Sequence, residues 1–114
     1  MIQIYHYNKC GKSRGALCLL ENKNAKFSVR YYIDNPLNVK ELKALHKKLN
    51  VPLIEMVRTN ETVYKKLFAS KTPTDKQLLE AIAEHPILLQ RPIVETNENA
   101  IIARPPEKVL DFIN

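Results

Sequence analysis

The chemistry this chain could perform starts at Cys10, set in the run Ile4-Tyr5-His6-Tyr7-Asn8-Lys9-Cys10-Gly11-Lys12-Ser13-Arg14. Backbone N–H groups in the first turn of a helix have no partner within it, and aligned peptide dipoles place partial positive charge there. A cysteine at such a start is favoured as a thiolate, and Lys9, Lys12 and Arg14 add cationic charge around it. Cys10 is therefore expected to ionise below the ordinary thiol range and to act as a nucleophile. The first-turn N–H groups and cations over Gly11, Lys12, Ser13 and Arg14 also form a seat for an oxyanion. The competing reading is a small buried hydrophobe. Lys9, Gly11 and Lys12 offer no apolar surface for that role.

The other cysteine, Cys18, falls on the same expected helix. A rise of roughly 1.5 Å per residue puts it about 12 Å from Cys10, beyond the Cα separation of about 7 Å that a disulfide tolerates. Its neighbours Leu17, Leu19 and Leu20 suggest a packed structural residue, which leaves an external thiol to resolve any adduct on Cys10.

The elements that must position Cys10 follow from periodicity. Ile2 to His6 alternates as a strand, and a helix follows with Ala16, Leu17, Leu19 and Leu20 inward and Asn22 or Asn24 ending it. Phe27 to Ile33 alternates again, with Phe27, Val29, Tyr31 and Ile33 on one face and Ser28, Arg30 and Tyr32 on the other. Strand, helix and strand form a βαβ unit with parallel strands. A helical block follows between residues 38 and 85, with candidate capping boxes at Asn38/Glu41 and Thr74/Gln77 and a further helix from Glu61 to Phe68. Two short strands, Pro92 to Thr96 and Asn99 to Ala103, flank Asn97-Glu98 as a hairpin. Pro105-Pro106 opens a last helix carrying Val109, Leu110, Phe112 and Ile113.

Composition narrows the classes. The 114 residues, 45% hydrophobic and 26% charged, suit one globular domain over 1–114. No run of about 18 apolar residues is present to span a membrane, and the opening residues carry no export signal. Two cysteines make no disulfide framework, so a reducing, cytoplasmic setting is expected. A net charge of +6 permits nucleic acid as a partner. Lys40, Lys43, Lys47 and Lys48 read as one solvated helix face, however, and no aromatic–basic interleaving accompanies them. Cys10, Cys18, His6, His46 and His85 show no metal-ligand spacing.

A β-α-β unit, helices, then β-β-α, with a cysteine opening the first helix, resembles the thioredoxin fold, an α/β architecture on a mixed four-stranded sheet. Six ordered motifs sharpen this: Ile4-Tyr5-His6, Cys10-Gly11-Lys12-Ser13-Arg14, Val57-Arg58-Thr59, His85-Pro86-Ile87-Leu88, Arg91-Pro92-Ile93-Val94 and Arg104-Pro105-Pro106-Glu107. Together they resemble the glutaredoxin-coupled arsenate reductase family of the ArsC/Spx-like group, over essentially the whole chain. The resemblance implies that the block between 38 and 85 is an insertion separating the two halves of the fold.

It implies further that Cys10 attacks arsenate, that Arg58, Arg91 and Arg104 hold the oxyanion and its thiol ester, and that His6 lies near the cysteine, where an imidazolium would support the thiolate; a histidine hydrogen-bonded at the strand end is the competing reading. Planar guanidinium groups suit a tetrahedral oxyanion, giving forked donors to pairs of oxygens. Pro92 matches the proline that such folds keep cis beside the cysteine. Glutathione as co-substrate and glutaredoxin as partner are implied, with no bound cofactor and a monomeric chain. Tyr7-Asn8 stands where many members carry Asn-Pro, so Tyr7 is expected to narrow access to the pocket.

The same residues bear on other classes. A low-molecular-weight phosphatase loop needs an arginine where Ala16 stands, which excludes that type of reductase. A dithiol oxidoreductase needs Cys-x-x-Cys, and Ser13 occupies the second position. The same absence weighs against a Spx-type regulator that binds RNA polymerase. A glutathione-dependent thiol reductase without arsenate activity is the nearest enzymatic alternative.

Overall fold

A computed structural model describes residues 1–113. Strand β1 (Ile2–His6) leads into helix α1 (Gly11–Asn22) and strand β2 (Phe27–Tyr31). Helices α2 (Val39–Leu49), α3 (Thr62–Phe68) and α4 (Asp75–Glu84) follow, with a short 3₁₀ turn over Leu53–Met56 between the first two. A second 3₁₀ turn, Pro86–Leu88, precedes strands β3 (Ile93–Glu95) and β4 (Ala100–Ile102) and helix α5 (Lys108–Ile113). The strands form one mixed sheet in the order β2-β1-β3-β4, with β1 parallel to β2 and antiparallel to β3.

Alternation along the central strand divides the molecule into layers. Ile4 of β1 and Val94 of β3 pack with Ala16 and Leu20 of α1 and Val109 of α5. Tyr5 and Ile93, one residue out of phase, face Leu42, Leu45, Leu79 and Ile82 of α2 and α4. Each such side chain, fully buried, contributes about 1.5–3 kcal/mol. Gly15 lets α1 approach the start of α5, since a Cβ there would meet the Pro106 ring at 3.3 Å.

Both expected capping boxes form. At α2 the Glu41 N–H donates to Asn38 Oδ1 at 2.8 Å and the Asn38 N–H to Glu41 Oε1 at 3.1 Å. At α4 the Gln77 N–H reaches Thr74 Oγ1 at 3.2 Å and the Thr74 N–H reaches Gln77 Oε1 at 2.9 Å. Such caps stabilise a helix by about 0.5–2 kcal/mol.

Three expectations about faces need correcting. Strand β2 stops at Tyr31, because the Asp34 and Asn35 N–H groups turn back onto the Tyr31 carbonyl at 3.1 and 2.9 Å. The turn breaks the two-residue phase, so Tyr31 is exposed and Tyr32 is wholly buried, the reverse of the alternating pattern. Lys48 is not on a solvated face. Its Nζ donates to Glu95 Oε2 at 3.0 Å and to the Thr96 carbonyl at 2.9 Å, tying α2 to the β3–β4 hairpin. Cys18 is exposed, because Ala16 and Leu20 set the buried stripe of α1 and Cys18 falls on its outer side.

Candidate active site

Cys10 caps the N-terminus of α1 from an extended backbone (φ −98, ψ 123). Its N–H donates to the Tyr7 carbonyl, and its carbonyl accepts from the Arg14 N–H, each at 3.0 Å, which closes the loop. Burial pushes the thiol up, but the Ser13 N–H, the Arg91 guanidinium and the Lys12 N–H, all of which favour the thiolate, outweigh it. The net result lies below the ordinary thiol value. The nearby lysines expected to supply charge, Lys9 and Lys12, are exposed, and the guanidinium acting on the sulfur comes from Arg91, remote in sequence. Lys12 contributes through its main chain.

Behind the loop the groups are satisfied internally. Ser13 is wholly buried, and its hydroxyl lies 2.6 Å from His6 Nδ1 and accepts the Tyr7 N–H at 3.0 Å. Burial, and then the charge of Arg14, lower the His6 pKa, which favours the neutral ring, and Nδ1 shares a hydrogen bond with the Ser13 hydroxyl. The hydrogen bond at the strand end fits the competing reading of His6, and the lowered pKa disfavours an imidazolium beside the thiolate. His6 and the Ser13 hydroxyl brace the loop, and only the Ser13 main chain faces the sulfur. Arg14 Nη1 donates to the Asn8 carbonyl at 2.9 Å and staples the loop from outside.

The three arginines meet through the irregular chain preceding β3. An isolated antiparallel bridge joins Val57 to Leu89, flanked by Arg58 N–H to Leu88 carbonyl and Gln90 N–H to Met56 carbonyl, both at 2.8 Å. The segment after the Leu53–Met56 turn is thereby laid beside the approach to Pro92. Arg58 donates Nε to Glu61 Oε2 at 2.9 Å, and Arg91 Nη2 lies 4.0 Å from the same oxygen. Arg91 is buried, with Nη1 on the Ile87 carbonyl at 2.9 Å. Arg104 Nη1 reaches the Arg91 carbonyl at 2.7 Å. The Arg91–Pro92 bond is cis, as is Arg104–Pro105.

Tyr7, expected at the pocket entrance, and two residues without an expected site role, Glu61 and Tyr32, join them. Glu61 places one carboxylate between two guanidinium groups. The Tyr7 ring lies under the Arg91 guanidinium, 4.8 Å from its centroid, so Tyr7 steadies Arg91 as well as bordering the site. Tyr32 is wholly buried with its hydroxyl within the fields of Arg91, Cys10 and Arg58. Glu61 was visible in sequence only as a helix start, and Tyr32 was hidden by the break in strand phase.

A cleft of about 290 Å³ lined by His6, Tyr7, Asn8, Lys9, Tyr31, Ile33 and Asp34 borders the cysteine loop. A larger depression of about 480 Å³ lies along β2 around Val29 and Arg30. Neither Cys10 nor any of the three arginines Arg58, Arg91 and Arg104 lines it. Among the described residues no group of three or more His, Cys, Asp or Glu is placed to hold a metal ion. No described helix is long and apolar enough to cross a membrane.

The mixed sheet in the order β2-β1-β3-β4 and the cysteine at the first helix start define a thioredoxin-like fold. An arsenate reductase from Vibrio cholerae superposes with a TM-score of 0.91 at 42% identity, covering 96% of this chain and 95% of that one. The chain belongs to the ArsC family, whose sequence model matches residues 5–112. It is 39% identical to an arsenate reductase of Haemophilus influenzae over 112 residues, 96% of this chain and 97% of that relative. An arsenate reductase of Neisseria meningitidis serogroup A is 41% identical over 110 residues, 95% and 94% of the two chains.

Proposed function

We propose that this protein reduces arsenate to arsenite with Cys10 as its single catalytic thiol and glutathione and glutaredoxin as external reductants. The observation that carries the reading is the pairing at Cys10. Cys10 opens helix α1, and the Lys12 and Ser13 N–H groups and the Arg91 guanidinium all act on its one sulfur to lower its pKa. That set stabilises a thiolate, and it suits a tetrahedral oxyanion brought against the sulfur. The relatives named arsenate reductase support arsenate as the anion.

The arsenate oxygens sit among the N–H groups of α1, Arg91, Arg58 and Arg104. Arg58 contributes its terminal nitrogens, which take no hydrogen-bond partner among the described residues while Nε stays on Glu61. Cys10 Sγ attacks arsenic, an S–As bond forms, and one oxygen leaves as water after protonation. A glutathione thiolate then attacks Cys10 Sγ. The S–S bond forms as the S–As electron pair passes to arsenic, which leaves as arsenite in the trivalent state. A glutaredoxin thiol next attacks the glutathione sulfur and releases Cys10 as a thiolate. Its depressed pKa serves both as nucleophile and as leaving group. The cycle consumes two thiol electrons per arsenate and needs no bound cofactor. It runs on a monomer in a cytoplasm supplied with glutathione.

The test is arsenate-dependent NADPH oxidation with glutathione, glutaredoxin and glutathione reductase present. Turnover that depends on arsenate and on Cys10 is expected. Reduction of mixed disulfides without any arsenate-dependent rate would point instead to a glutathione-dependent thiol reductase.

A further inference from the structure

Tyr32 begins the turn after β2, and its side chain packs in the apolar cluster between the sheet and α2 and α4. It is wholly buried, and its hydroxyl has no hydrogen-bond partner among the described residues. A buried hydroxyl left unpaired is unfavourable, and native folds rarely retain one without a reason. The groups around this one are those of the anion site. The Arg91 guanidinium lies close enough to lower the Tyr32 pKa by charge and by hydrogen bonding, but without the geometry of a closed hydrogen bond, and Cys10 and Arg58 act on it through charge. Arg91 Nε is a second buried polar atom with no partner among the described residues. Two unpaired donors thus border the nucleophile, one on each of two neighbouring side chains.

We propose that the Tyr32 hydroxyl is a fourth side-chain donor of the oxyanion site, completing its hydrogen bond only when a tetrahedral anion lies against Cys10. The inference rests on the reading of Cys10 and the three arginines as an oxyanion site, and it adds a neutral donor to that cationic set. Burial first, against the opposing charge of Arg91, pushes the Tyr32 pKa up to about 12. The phenol therefore keeps its proton throughout the working range and donates without changing the charge of the site. A neutral donor at the floor of the site also makes no ion pair that would have to break when a reduced product leaves.

Tyr32→Phe removes one oxygen and leaves the ring to fill its place. Because the hydroxyl has no partner in the free protein, its loss should leave Tm unchanged or raise it. Binding of an anion should weaken. The probe is sulfate, an unreactive tetrahedral oxyanion, read by how far it slows alkylation of Cys10 by iodoacetamide. Sulfate should protect the wild type, and Tyr32→Phe should need about five- to tenfold more sulfate for half-protection. Arsenate turnover should show the same change in KM. Equal protection of variant and wild type would overturn the role of Tyr32 while leaving the anion site standing. Absence of protection in the wild type would overturn both. Weakened protection in a variant whose Tm has fallen would also count against the proposal, since a disturbed fold would then account for it.

Discussion

Two tyrosines pack in the same apolar cluster, and they end in opposite ways. The Tyr5 hydroxyl donates to Glu95, whose other oxygen accepts from Lys48 Nζ at 3.0 Å. Donor, acceptor and countercharge are all matched, and the network joins β1, β3 and α2 far from Cys10 in function. Tyr32, equally buried, points its hydroxyl at the arginines and donates to nothing. A closed network holds the fold, whereas an open one is left for a ligand. The same contrast separates His6 and Ser13, which satisfy each other beneath the loop, from Arg58 and Arg91, which share the one Glu61 carboxylate at 2.9 and 4.0 Å.

Substitutions in the open region should cost activity and spare stability, and those in the closed region the reverse. The largest effect belongs to Cys10→Ser, which should lower arsenate turnover by about 10³-fold or more with thermal unfolding nearly unchanged. A folded Cys10→Ser protein that still turns over would end the comparison, because the open region would then hold no reactive centre. Arg91→Lys comes next. An ammonium keeps the charge but not the forked donors, so kcat/KM should fall about 10²–10³-fold. The pH midpoint for alkylation of Cys10 should also move up, since a hydrogen bond to the thiolate is lost.

Tyr5→Phe sharpens the contrast with Tyr32→Phe because the signs should differ. Removing the Tyr5 hydroxyl takes away a hydrogen bond to a partly buried carboxylate, and urea unfolding should show a loss of about 1–3 kcal/mol with kcat/KM unchanged. A neutral or stabilising Tyr5→Phe would erase the distinction drawn between the two phenols. The smallest effect concerns His6. Its folded pKa is depressed, so the neutral ring contributes stability that is full above its ordinary value of 6.5 and is lost as pH falls through the folded value. In a Cys10→Ser background, where the thiolate does not titrate, the urea midpoint should decline below about pH 6.5, and His6→Asn should flatten that decline.

Much of this was legible in the sequence, and the exceptions share a physical cause. Local signals survived intact: Asn38 with Glu41 and Thr74 with Gln77 formed their reciprocal caps because a capping box needs only residues three apart. The placement of Cys10 at a helix start followed from the strand-to-helix change in period. The resemblance led to Arg58, Arg91 and Arg104, whereas spacing alone had no access to a bridge between Val57 and Leu89. Tyr32 was placed on the wrong face because alternation holds only while a strand continues, and the turn onto the Tyr31 carbonyl resets it. Lys48 looked solvated for a related reason, as its partner Glu95 lies on a hairpin that no helical pattern anticipates. Cys18 looked packed from its neighbours in sequence, but a helix buries every third or fourth residue, and Ala16 and Leu20 took those positions.

In the proposed cycle one sulfur carries every step, and intact-mass and peptide mass spectrometry can read that directly. The protein is incubated with arsenate and glutathione but without glutaredoxin, so that resolution stops at the mixed disulfide. A single glutathione-sized addition on Cys10, dependent on arsenate and missing from Cys10→Ser, is the predicted result. Exposed Cys18 remains unmodified in that experiment. An arsenate-dependent addition on Cys18, or a disulfide between Cys10 and Cys18, would contradict the single-thiol cycle.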